Sequence, residues 1–146
     1  MPRELRTEIV INASADKVWN QLMDFESYPD WNPFVKAIIG KQMEGERLTA
    51  ELQPNGGRGM IIRPKISEIS PNERFAWKGK LFVPRLFDGE HIFEIESISE
   101  DQVRFIHREK FRGLLMRPIL RSVGENTRRG FEEMNQALKK KVENSI

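Results

Sequence analysis

Two histidines and one glutamate stand out as the side chains of this sequence best placed to move a proton. His91, Phe93 and Ile95 alternate with Glu94 and Glu96. Val103, Phe105, His107, Glu109 and Phe111 alternate with Arg104, Arg108 and Lys110. A period of two marks strands with one buried face. Phe93, Ile95, Val103 and Phe105 must face the core, so His91, His107 and Glu109 share that face. Ser99-Glu100-Asp101 reads as the turn of a hairpin, which lays His91 across from residues 107 to 109. A histidine beside a buried carboxylate can serve as general acid or base near neutral pH. The same three groups could instead be satisfied polar side chains at the wet end of a pocket, orienting a ligand without reacting. His91, His107 and Glu109 are therefore the catalytic candidates. Two histidines and a glutamate could also ligate a metal, but the ligands would come only from neighbouring strands. With no cysteine and no third histidine to add, no metal is expected.

Other chemical signatures are missing. There is no nucleophile triad, dinucleotide fingerprint or zinc motif, and no cofactor is expected. Pro54-Asn55-Gly56-Gly57-Arg58-Gly59 is glycine-rich, but a phosphate-cradling loop needs a helix after it. A strand comes next here, so the segment reads as a hairpin turn.

The connections are more informative, because three of them are apolar. One holds Tyr28, Trp31 and Phe34; a second holds Leu81, Phe82, Val83, Leu86 and Phe87; a third holds Leu114, Leu115 and Met116. Connections run over the surface and are normally polar. Three apolar ones suggest a common rim over an apolar space, or plugs that fill it. Tyr28 and Trp31 have polar tips that suit a pocket mouth. The expected lining draws Tyr28, Trp31 and Phe34 from the first connection, and Phe82, Phe87 and Leu115 from the others. Strand residues Leu52, Ile62, Trp77, Phe93 and Phe105 add to it, as does Phe131 of the last helix. His91, His107 and Glu109 form its polar end.

The elements that must position these residues are legible in order. Residues 4 to 12 alternate as a half-wet strand. Ser14 is a good N-cap, with Asp16 in the first turn, and Val18, Trp19, Leu22 and Phe25 recur at helical spacing, giving a helix over about 15 to 23. Pro29 and Pro33 limit the next segment to a short helical turn or two. Strand-like runs then succeed one another: 35 to 41, 48 to 52, a long one through Met60, Ile62 and Ile66 with Pro64 marking an edge or bulge, then 75 to 78 and the final hairpin. From about Pro118 to Glu143 a helix carries an apolar stripe of Ile119, Val123, Thr127, Phe131, Met134, Leu138 and Val142. Six consecutive strands joined by short turns form an antiparallel meander, and only the helices can cover its apolar face. The fold class is α+β.

Composition agrees. The chain has 146 residues, 38% hydrophobic and 32% charged, with nine Phe and three Trp. That is one domain, residues 1–146, able to bury a core of its own. The absence of cysteine fits a cytoplasmic protein, and the first residues lack the apolar run of a signal peptide. No stretch is apolar enough to span a membrane. Net charge is only +2. Glu125, Glu132, Glu133 and Glu143 interrupt the basic residues of the last helix, so no nucleic-acid partner is expected.

Several segments resemble one superfamily. Ile9-Val10-Ile11-Asn12-Ala13-Ser14-Ala15-Asp16-Lys17-Val18-Trp19 is similar to the opening of the SRPBCC (START-like, Bet v 1-like) proteins. Tyr28-Pro29-Asp30-Trp31-Asn32-Pro33-Phe34 resembles a segment of the polyketide cyclase/dehydrase-like branch. So do Gly89-Glu90-His91-Ile92-Phe93, Phe111-Arg112-Gly113-Leu114-Leu115 and the stretch from Gly130 to Lys139. The resemblance covers nearly the whole chain. It implies a helix-grip fold: a curved six- to seven-stranded antiparallel sheet wrapped around a long C-terminal helix, with two short helices after strand 1. It also implies a small hydrophobic or aromatic ligand, lipid-like or polyketide-like, between sheet and helix. Two alternatives stand beside ligand binding, because the fold is shared by many functions. One is an enzyme of the cyclase, dehydratase or hydrolase type using the cavity His and Glu. The other is a cochaperone-like interaction domain whose apolar rim docks a partner, a rim through which a homodimer could also form.

Overall fold

The computed structural model describes residues 3–53, 59–80, 88–112 and 116–144. Strand β1 (Arg3–Ile11) leads into helix α1 (Ala15–Leu22). Ser14 Oγ accepts the amide of Lys17 at 3.2 Å, which satisfies a free donor at the start of α1. Val18, Trp19 and Leu22 form the buried side of α1. A 3-10 turn, Phe25–Ser27, and the one-turn helix α2 (Tyr28–Trp31) come next. Asn32, itself buried, ends this segment. Its Oδ1 accepts from the amides of Phe34 at 3.0 Å and Val35 at 2.8 Å, launching the next strand in a fixed direction.

Seven more strands complete the sheets: β2 (Val35–Ile39), β3 (Thr49–Leu52), β4 (Met60–Ile62), β5 (Lys65–Ser70), β6 (Arg74–Lys80), β7 (Asp88–Ser99) and β8 (Gln102–Arg112). One sheet has the order β1-β8-β7-β6-β5 and the other β2-β3-β4, with antiparallel pairing throughout. The described strands thus number eight, in two sheets, where the sequence suggests a continuous meander of six or seven. The difference lies at Arg63-Pro64. Proline has no amide to donate, so the long strand expected there divides into β4 and β5. The Pro64 carbonyl still accepts, taking the amide of Leu48 at 2.8 Å, and Ile66 donates to Glu46 at 2.9 Å. Those bonds run the segment before β3 alongside β5. Register shifts between Val35 and Ala37, Ile66 and Glu68, and Ser97 and Ser99 add local bends that help the sheets curve.

Helix α3 (Met116–Glu143) begins at Met116, which places Pro118 in its first turn, where a missing amide is tolerated. Its C-terminal half is tied along β1. Arg128 Nη1 donates to the Arg6 carbonyl at 3.0 Å, Lys139 Nζ to the Val10 carbonyl at 2.9 Å, and Glu143 accepts from the Asn12 amide at 2.7 Å. Phe131, Met134, Leu138 and Val142 face inward, against Ile11, Phe75, Phe93 and Phe105 of the sheet. Among the described residues, no helix is long and apolar enough to cross a membrane.

Candidate functional site

Hairpin β7–β8 builds the site. Its register pairs His91 with Glu109 and Phe93 with His107, and β6 pairs Trp77 with His91. Strand alternation then turns all of these side chains to the face that α3 covers. His91 Nδ1 lies 2.7 Å from Glu109 Oε1, and His91 Nε2 lies 2.7 Å from His107 Nε2. His107 Nδ1 lies 2.9 Å from Asn135 Oδ1, and Asn135 Nδ2 donates to Thr7 Oγ1 at 2.8 Å. Thr7 Oγ1 donates to the His107 carbonyl, also at 2.8 Å. Five side chains from three strands and the long helix thus form one continuous polar chain.

Two of its members, Thr7 and Asn135, do not stand out in the sequence. Thr7 has the inward parity of β1, which is visible, but threonine on a half-wet strand is unremarkable. Asn135 carries a clearer signal. It lies four positions after Phe131 and three before Leu138, on the buried stripe of α3. A buried amide on an apolar stripe needs partners, and here it has two.

The fixed end of the chain sets the direction of every hydrogen bond in it. A backbone carbonyl can only accept, so the Thr7 hydroxyl must spend its single proton on His107 O. Thr7 Oγ1 therefore accepts from the Asn135 amide, which turns Asn135 Oδ1 toward His107. An oxygen there requires a proton on His107 Nδ1, and the Phe131 carbonyl is a further acceptor for that histidine. Burial, and next the charge on His91 when it forms, hold the pKa of His107 well below the ordinary histidine range, so the ring is neutral. Its Nε2 is then a bare acceptor, and His91 must donate to it through Nε2–H. One proton remains to be shared between His91 Nδ1 and Glu109 Oε1, which is the arrangement acid–base chemistry needs.

Aromatic rings enclose the pair. Trp77 stacks on His91 at 4.9 Å between centroids, and Phe131 on His107 at 4.1 Å with only 7° between planes. Phe34 stands edge-on to Phe131 at 5.3 Å. Two glycines make room. A Cβ on Gly130 would fall 2.7 Å from the Phe34 ring, and one on Gly89 would fall 2.7 Å from Glu109 Oε2. The helix glycine thus admits Phe34 to α3, and the strand glycine admits the carboxylate.

Space is left on one side of the site. A cavity of about 40 Å³ is lined by Leu52, Ile62, Arg63, Trp77, Gly79, Gly89 and Glu109. His91 is 1% exposed and Glu109 15%, so Glu109 is the end of the chain that reaches this space. Leu52, Ile62, Trp77 and Glu109 of the expected lining border this cavity, but it does not reach the other expected residues of the sheet and of α3. Among the described residues, the volume between Phe93, Phe105 and α3 is filled, because Phe93, Phe105 and Phe131 are fully buried and packed on His107. Tyr28 and Trp31 satisfy their tips close by, Tyr28 on the end of α1 and Trp31 on the 3-10 turn. The Tyr28 hydroxyl donates to the Leu22 carbonyl at 2.5 Å, and Trp31 Nε1 to Ser27 Oγ at 3.0 Å. Tyr28 is fully enclosed, and burial, with Asp24 nearby, pushes its phenol pKa far up, so it stays neutral. Phe82, Phe87 and Leu115 lie outside the described residues, as does most of the glycine-rich turn. No cluster of three or more metal-ligating side chains occurs among the described residues.

A larger depression, about 440 Å³, lies on the opposite face of the sheet, lined by Glu68, Arg74, Glu94 and Glu96 among others. Its charges are paired with one another: Glu94 meets Arg74 at 2.7 Å and Arg108 at 2.5 Å, and Arg104 meets Glu96 at 2.6 Å. It is half-open to water and lies across the sheet from the histidines, so size alone does not make it the better site.

Known proteins share this architecture. The sequence signature of a family described as polyketide cyclase / dehydrase and lipid transport matches residues 2–143. No curated protein matches the sequence. Among solved structures, the Zhui aromatase/cyclase from a Streptomyces species is 15% identical, with a TM-score of 0.76 over 98% of this chain and 94% of that one. A START superfamily protein from Mycobacterium smegmatis is 18% identical, with a TM-score of 0.72 over 96% and 97%. Norcoclaurine synthase from Thalictrum flavum, solved with dopamine and hydroxybenzaldehyde, is 14% identical, with a TM-score of 0.75 over 100% and 90%. At such identities the likeness establishes the helix-grip fold alone.

Proposed function

We propose that this chain, which belongs to the polyketide cyclase / dehydrase and lipid transport family, binds a small, largely apolar or aromatic molecule whose polar end rests on Glu109. One observation carries the reading. Glu109 closes an enclosed chain of hydrogen bonds and reaches a cavity otherwise walled mainly by Leu52, Ile62, Trp77 and two glycines. A mainly apolar wall with a few polar groups, here Glu109 from the enclosed side and Arg63 from the exposed rim, is the usual composition of a small-molecule site. The space at Glu109 takes a polar head and a few more atoms, and the rest of the ligand would extend outward past Leu52 and Ile62. A cytoplasmic setting is part of this proposal, supported by the lack of cysteine.

A second reading is favoured by the proton held between His91 and Glu109. The pair would act as the acid–base group of a cyclase- or dehydratase-type enzyme. It requires a substrate that turns over, and Glu109→Gln would then abolish turnover while leaving binding within a few-fold.

Native mass spectrometry of the protein purified from its own host tests the binding reading, together with NMR mapping of whatever copurifies. Resonance changes centred on Trp77, Gly89, Leu52 and Ile62 are the expected result. A ligand whose effects centre on Arg74 and Glu94, across the sheet, would overturn the assignment.

A further inference from the structure

Resting on the binding reading above, we infer that the site selects a ligand bearing a hydrogen-bond donor (an alcohol, phenol or amine) and discriminates against carboxylates and ketones. Counting protons along the buried chain gives the reason. His107 Nε2 is an acceptor, so His91 Nε2 holds a proton. At 2.7 Å, His91 Nδ1 and Glu109 Oε1 hold one further proton between them, because two bare acceptors would repel at that distance. Whether this proton sits nearer nitrogen or oxygen, the pair has no net charge, and Oε1 is occupied. Oε2 then carries no proton in either arrangement. It can only accept.

A proton on Oε2 as well would leave a net positive charge beside Trp77, Phe34, Phe93 and Phe131, in a site with 1% exposure at His91. Enclosing an unpaired charge is strongly unfavourable, so the geometry favours the state in which Oε2 is bare. The backbone leaves Oε2 approachable. Gly79 and Gly89 face each other across β6 and β7, and Gly89 lies directly against Oε2. Both glycines line the cavity that Glu109 reaches, and that cavity is where a ligand atom would meet the carboxylate. Arg63 is the competing group: it lines the same cavity and would favour an anion. Arg63 is exposed, so water screens it, whereas Glu109 acts from the enclosed side.

The test compares three probes of nearly one shape at neutral pH: para-butylphenol, para-butyltoluene and para-butylbenzoate. Binding is monitored through the indole N–H resonance of Trp77. The phenol should bind on the order of tenfold more tightly than the toluene, the effect of one good bond to a carboxyl acceptor, with the benzoate weakest. Glu109→Met should erase the difference between phenol and toluene. Glu109→Gln should keep a preference for the phenol, because its amide nitrogen would donate to His91 Nδ1 and turn its oxygen to the cavity. Equal binding of phenol and toluene overturns donor selection, and so does tightest binding of the benzoate, which would put Arg63 in charge. In both cases the binding reading survives. If none of the three shifts Trp77, both fall together.

Discussion

Enclosing a neutral histidine makes the fold sensitive to acid in a window where few other side chains titrate. The perturbation is a lowering of pH from about 7.5 to about 5, and the group is His107. Its folded-state pKa is held well below the ordinary 6.5 by burial and by the neighbouring His91. Linkage gives the sign. Below about 6.5 the unfolded chain takes up a proton on this residue that the folded chain refuses, so stability falls as pH falls. The slope approaches about 1.4 kcal/mol per pH unit for a single group. Integrated to about pH 5, the loss is about 2 kcal/mol, a large part of the stability of an ordinary domain. Carboxylates act lower. Hydrogen bonds from Arg74 and Arg108 override the effect of burial and hold Glu94 below its ordinary 4.5, so the stability it contributes is lost only as pH drops under that value. Urea unfolding at a series of pH values, on the intact chain and on His107→Gln, separates the contributions. The wild type should lose about 2 kcal/mol across the window, and the variant should lose much less, whatever its starting stability. A flat wild-type profile, or equal slopes in both proteins, would refute the assignment of a neutral buried His107.

Three substitutions probe the packing around the same chain. Asn135→Leu strips Thr7 Oγ1 of its donor and leaves His107 Nδ1 the Phe131 carbonyl alone, so urea unfolding should show a loss of about 1–3 kcal/mol. Gly130→Ala would gain about 1 kcal/mol from helix propensity but drive a methyl against the Phe34 ring; overpacking should win, and a raised melting temperature would show the ring can yield. Gly89→Ala places its methyl on the Glu109 carboxylate rather than on backbone. Melting should change by only a few degrees, while affinity for para-butylphenol falls on the order of tenfold.

Much of the architecture is legible in the sequence because it rests on periodicity. The alternation through His91–Ile95 and Val103–Phe111 fixes which face is buried, and with Ser99-Glu100-Asp101 as the turn it also fixes which residues meet. Hairpin pairing is local, so His91 comes to lie opposite Glu109 as the sequence suggests. Contact between elements distant in the chain lies beyond that reach. Nothing in the spacing of Thr7, His107 and Asn135 says that β1, β8 and α3 converge on one polar chain, although each carries the right facing parity. The division at Pro64 is signalled by the residue itself, but its consequence, a segment before β3 paired with β5, depends on long-range closure. The cavity stays at Leu52, Ile62, Trp77 and Glu109 and, among the described residues, does not extend under Phe93 and Phe105, for a volumetric reason. Phe34, Phe93, Phe105 and Phe131 are expected to line a space, and with two imidazoles added they fill it. Side-chain volumes can be tallied from a sequence, but how they sum inside a bent sheet cannot.

Everything proposed for the cavity depends on the direction of the buried hydrogen bonds, and NMR of the imidazole nitrogens reads that direction without any ligand. At neutral pH His107 should be neutral, with its proton on Nδ1 and a bare Nε2, and His91 should be protonated on Nε2. A proton on His107 Nε2 with Nδ1 bare would reverse the chain: His91 would then donate to Glu109 Oε1 through Nδ1, a proton on Oε2 would no longer leave a net charge, and the proton count that makes Oε2 an acceptor only would be contradicted at its root.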